Sequence, residues 1–152
     1  MVNVHAICHE AGHAIVALKF GLKIKGIDVE NSIPTLRLET GEASLQTMCT
    51  VYAAGVAAER IAFGGYNYAA SAGDRRLIEE ANGGKLEDYL THAMEIIEAE
   101  MDCLKQLRME MVINWVEEDG SAELHAAESD SINQPLLGEA KLKAIWDSCH
   151  RY

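Results

Sequence analysis

The stretch Val4-His5-Ala6-Ile7-Cys8-His9-Glu10-Ala11-Gly12-His13-Ala14-Ile15-Val16-Ala17-Leu18-Lys19 decides how the chain is read. Val4, Ile7, Ala11, Ala14, Ile15 and Leu18 recur with the three-and-four rhythm of one helical face. Asn3 can cap the helix start, and Gly21 suits the position just past its end. Inside the helix, His9-Glu10-Ala11-Gly12-His13 is an H-E-x-x-H pentapeptide. Residues i and i+4 share a face, so the two imidazoles can grip one ion. Glu10 can then reach a water on that ion as general base. His9 and His13 fall beside the apolar stripe, and the plain alternative is a polar surface. Gly12 is a poor helix former whose missing side chain would admit another backbone or a substrate. A hydrolytic metal site needs three protein ligands and one open position, so a third must come from elsewhere in the chain.

Working outward, Leu22 to Glu30 reads as a strand in which Gly26 breaks the alternation as a bulge would. Asn31-Ser32-Ile33-Pro34 reads as a turn, and Thr35 to Thr40 as a second strand through Leu36 and Leu38. Ala43 to Phe63 is helical again, with Leu45, Met48, Cys49, Tyr52 and Val56 inward and Gly64-Gly65 closing it. Ser71-Ala72-Gly73-Asp74 has the form of a capping box, opening a short helix that ends near Gly83-Gly84. One long helix is expected from about Leu86 to Glu118, on a stripe running from Leu90 through Ile97, Met101 and Leu104 to Trp115. Asp119 to Gln134 reads as a polar loop, and Leu136 to about Cys149 as a final helix. These elements make one mainly helical α+β domain over residues 1–152, with a small sheet or hairpin and a helical C-terminal half.

Composition narrows the function. Among 152 residues, 49% are apolar and 24% charged, which suits a globular core. Acidic side chains outnumber basic ones 24 to 13, giving −11 at pH 7. That surface repels phosphate backbones and anionic lipid, which argues against nucleic-acid or membrane-surface binding. The most apolar run, Met48 to Ala58, is too short for a bilayer and ends at Glu59-Arg60. His9-Glu10 interrupts anything like a signal-peptide core. Cys8, Cys49, Cys103 and Cys149 form no C-x-x-C pair, so a reduced, cytoplasmic setting is expected, with Cys8 as a packed thiol.

Three segments together resemble the zinc peptidase domain of FtsH-type ATP-dependent proteases. Ala6 to Ala17 is similar to that family's H-E-A-G-H-A helix. Ala54-Gly55-Val56-Ala57-Ala58-Glu59-Arg60-Ile61-Ala62-Phe63-Gly64 is similar to its G-R-A-A-E-x-x-x-F-G helix, and Ala70-Ser71-Ala72-Gly73-Asp74 to its G-A-x-N-D turn. The likeness covers roughly the first half of the chain, in the family's order. It implies His9, His13 and Asp74 as ligands of one Zn2+, with Glu10 as catalytic base. Glu59, Glu79 and Glu80 compete as ligands. Glu59 is better placed to orient a ligand imidazole through its other nitrogen, or else to pair with Arg60. Leu36, Arg37 and Leu38 correspond to an edge strand that pairs with extended substrate backbone. Tyr66 and Tyr68 are candidates for reaching an oxyanion.

The resemblance thus implies a zinc metalloendopeptidase acting on peptides or unfolded protein segments. No G-x-x-x-x-G-K-[ST] loop occurs in these residues, so folded substrates would require a separate unfoldase, and a homo-oligomer is one possible assembly. The alternative is a catalytically weak or inactive metal-binding module that keeps the fold.

Overall fold

A computed structural model describes residues 3–30, 33–39, 41, 43–81, 84–125 and 134–151. Helix α1 spans Val4–Lys19 and begins as expected, with the Ala6 N–H donating to the Asn3 side chain at 3.0 Å. Strands β1 (Lys23–Glu30) and β2 (Ile33–Glu39) follow, then α2 (Leu45–Phe63), α3 (Ala72–Glu80), α4 (Glu87–Ala99) and α5 (Met101–His125). The described chain closes with β3 (Gln134–Gly138) and α6 (Glu139–Cys149). The class is α+β and mainly helical: six helices and one antiparallel sheet of order β2-β1-β3 among the described residues. No helix among them is long and apolar enough to cross a membrane.

The core sits where α1 packs on α2 and α5, with α4 behind α2. Ala11, Ala14 and Ile15 of α1 are fully buried, as are Ala54, Ala57 and Ala58 of α2, and Leu104 and Met111 of α5. Small side chains bring the first two helices very close. A Cβ on Gly12 would lie 2.6 Å from both the Ala54 carbonyl oxygen and the Ala58 Cβ, so only glycine fits there. The backbone that Gly12 admits is α2.

Several expectations need correction. Ile33 and Pro34 belong to β2, paired with Glu30 and Val29, instead of to a turn. Asn31, Ser32 and Thr40 lie outside the described residues. The Gly26 bulge is present, because the register slips between Ile24 and Gly26. Leu45 is 47% exposed, since the buried face of α2 begins one turn later at Met48. The long C-terminal helix is two helices. At Glu100 the backbone leaves helical geometry (φ −116°, ψ 26°) while the carboxylate accepts from Lys19 and His150. The expected loop from Asp119 is helical as far as His125, and 126–133 lie outside the described residues. Leu136 and Leu137 form a strand beside β1 instead of opening the last helix. Pro135 fits there because β3 is an edge strand.

Candidate metal centre

His9 and His13 stand one helical turn apart on α1 with rings edge-on, centroids 4.6 Å apart. They are only 8% and 6% exposed, so they are no polar surface. Each has its Nδ1 committed to the protein. The Nδ1–H of His9 donates to Glu59 Oε2 at 3.0 Å, and that of His13 donates to the Val51 carbonyl at 2.6 Å. These bonds fix ring orientation and turn both Nε2 atoms the same way. Both meet Asp74, whose Oδ2 lies 2.8 Å from His9 Nε2 and 3.4 Å from His13 Nε2.

Asp74 arrives from far along the chain because α3 begins at Ala72, packed against α2. The expected capping box does not form. The Ser71 hydroxyl instead donates to the Tyr68 carbonyl and accepts from the Arg75 guanidinium. The Asp74 carboxylate, on the first turn of α3, is taken by the two imidazoles.

His9, His13 and Asp74 form a group whose ligand atoms all lie within 4.8 Å of one another, and which could hold a metal ion. The donor set fits. Ligand atoms bonded at about 2.0–2.1 Å around a tetrahedral ion stand about 3.3 Å apart. The His13–Asp74 separation already matches this, and the His9–Asp74 distance is that of a hydrogen bond.

The same three side chains are electrostatically coupled. Burial disfavours charge on His9, yet the hydrogen bonds to Asp74 and Glu59 outweigh it and raise its pKa to about 10. His13 is also raised, with Asp74 overcoming desolvation. Burial would raise the Asp74 pKa, but the two imidazoles hold it well below the usual carboxylate range.

Glu10 stands beside this group but is bonded elsewhere: the Leu36 N–H donates to its Oε2 at 3.0 Å. Desolvation raises the Glu10 pKa, against the pull of His13 and His9. A carboxylate raised in this way is a stronger proton acceptor than a solvated one.

The other candidates divide. Glu59 is 2% exposed and holds His9, as one of its two readings required. Glu79 and Glu80 are exposed and do not join the group. Leu36 and Leu38 line the space beside Glu10 and His13, whereas Arg37 is turned away and paired with Asp28 at 2.5 Å. Tyr68 is exposed under the Arg75 guanidinium, and His5 stacks on Phe63 at 4.0 Å. Cys8 is a buried thiol, pushed up to about 11 by desolvation.

Two residues of the site escaped the sequence reading. A Cβ on Gly55 would fall 2.5 Å from His9 Nε2 and 2.7 Å from His13 Nε2, so the imidazoles rest on bare α2 backbone. Its signal was the small-residue run Ala53-Ala54-Gly55. Tyr52 read simply as a core residue, but it lines the same space as Glu10 and Asp74. No protein-family model and no curated protein matches the chain.

Proposed function

We propose that this domain is a zinc-dependent endopeptidase that hydrolyses peptide bonds in peptides or unfolded protein segments. One observation carries the reading. Both imidazole Nδ1 atoms are tied to protein acceptors while both Nε2 atoms and Asp74 converge, with Glu10 adjacent. The order of the three segments that resemble FtsH-type motifs, with Asp74 in the place of the third ligand, supports it. His9, His13 and Asp74 would hold the ion, and Glu59 would keep His9 in the required tautomer. Bound there, zinc supplies Lewis acidity, acidifying water and polarising a carbonyl.

The chain's own groups do the rest. Glu10 takes a proton from the attacking water and later delivers it to the leaving amide nitrogen. β2 is an edge strand, and Leu36 reaches Glu10 through its backbone N–H. An extended peptide added along that edge would lie beside the base. Such recognition reads backbone, which suits unstructured substrates.

The test is Glu10→Gln, assayed for zinc by elemental analysis and for cleavage of an unstructured peptide library at neutral pH. Zinc should stay at the parent level while kcat falls by at least about 100-fold. A variant that cleaves as fast as the parent overturns the mechanism, and a parent that cleaves nothing overturns the activity.

A further inference from the structure

Tyr52 follows Val51 on α2, the residue whose carbonyl holds His13. Its half-buried ring joins Glu10, His13, Leu36 and Asp74 around a cavity of about 270 Å³. The tyrosine has no hydrogen bond to a described residue. Among the described residues, no fully buried side-chain oxygen or nitrogen lacks a partner, so the Tyr52 hydroxyl is not fully enclosed, and the residue is part of the cavity wall. A phenol partly withdrawn from water normally satisfies its O–H. Tyr52 thus brings a donor with no described partner to the wall of the cavity that Glu10, His13 and Asp74 also line. Burial raises the pKa of the phenol, with smaller contributions from Cys49 and Asp74.

We propose that the Tyr52 hydroxyl is the oxyanion donor of the site, an inference that rests on the peptidase reading. When water attacks, the new carbon–oxygen bond forms as the carbonyl π pair moves onto oxygen. The water proton goes to Glu10. Tyr52 donates a hydrogen bond to that oxygen and transfers no proton. On collapse the pair returns to the carbonyl, the carbon–nitrogen bond breaks, and Glu10 protonates the departing nitrogen. A fixed donor aimed at developing charge strengthens its bond in the transition state, and losing one typically costs about 100- to 1,000-fold in kcat.

Tyr52→Phe removes one oxygen and keeps the ring. It should lower kcat on an unstructured peptide by about 100- to 1,000-fold with KM little changed. Zinc content and melting temperature should match the parent. Affinity for a phosphinic peptide, which mimics the tetrahedral state, should fall by a similar factor, while affinity for a cleavage-product peptide holds. Tyr52→His, offering another donor, should recover part of the phosphinate affinity, and Tyr68→Phe should behave as parent. If the parent cleaves and Tyr52→Phe matches it in kcat and phosphinate binding, this role is overturned and the peptidase reading stands. If the parent neither cleaves nor binds the phosphinate, both fall.

Discussion

Glu59 accepts the Nδ1–H of His9 at 3.0 Å from a side chain that is itself only 2% exposed. The carboxylate has no solvent to lean on, so it and the imidazole depend on each other. Replacing it removes the group that fixes the tautomer of His9. Glu59→Gln should weaken zinc binding by about 10- to 100-fold, read by competition with a chromogenic chelator. Affinity equal to the parent's would show that Glu59 serves only the fold.

Gly55 is the second lever. Its absent Cβ would overlap both imidazoles, and the α2 backbone beneath cannot retreat from α1. Gly55→Ala should therefore push the rings off their positions and abolish stoichiometric zinc. The overpacking should also cost about 1–3 kcal/mol of stability in chemical denaturation. A variant that folds and binds zinc normally would mean the helices separate more easily than their packing indicates.

Much of this was legible beforehand. The three-and-four rhythm of α1, the Asn3 cap and the five-residue motif lie within one continuous segment, where local rules suffice. The break at Glu100 was not legible, because the apolar stripe runs through Ile97, Met101 and Leu104 without interruption. What ends the helix is tertiary: Lys19 and His150 meet the Glu100 carboxylate. The strand at Gln134–Gly138 was hidden by its brevity and by Pro135. Asp74 and Glu59 needed the family resemblance, since nothing local sends a carboxylate to an imidazole 65 or 50 residues away. Gly55 and Tyr52 belong to the meeting of two helices, which no single helix encodes.

His150 gives a pH signature away from the metal centre. Its Nδ1–H donates to the Trp146 carbonyl and its Nε2–H to Glu100, which together raise its pKa against opposition from burial and Lys19. A raised histidine stabilises the fold fully below its unfolded value of about 6.5, and that stability is lost as pH rises through the folded value. The melting-temperature gap between parent and His150→Gln should thus be widest near pH 6 and shrink toward pH 9. A gap that widens with pH would contradict the pairing.

If zinc is the ion held, as proposed, its removal should soften the protein without unfolding it. His9 and Asp74 can hydrogen-bond each other directly, standing 2.8 Å apart. The loss should be the binding linkage alone, about 2.7 kcal/mol for an ion held at 100 times its dissociation constant. Chelation should lower the melting temperature of the parent, leave its far-ultraviolet dichroism intact, and leave Asp74→Ala unchanged. Collapse to an unfolded chain would show that the ion is structural.

The floor beneath the two imidazoles is main chain, and this limits how the centre can vary. Side-chain exchanges in the core cannot lower that floor, and α1 cannot slide while Gly12 sits against Ala54. Two of the three side chains that could hold an ion therefore stand on closely packed helices. The carboxylate comes from the nine-residue α3, outside that packed pair. Redesign toward an ion of different radius therefore starts with the seating of that short helix.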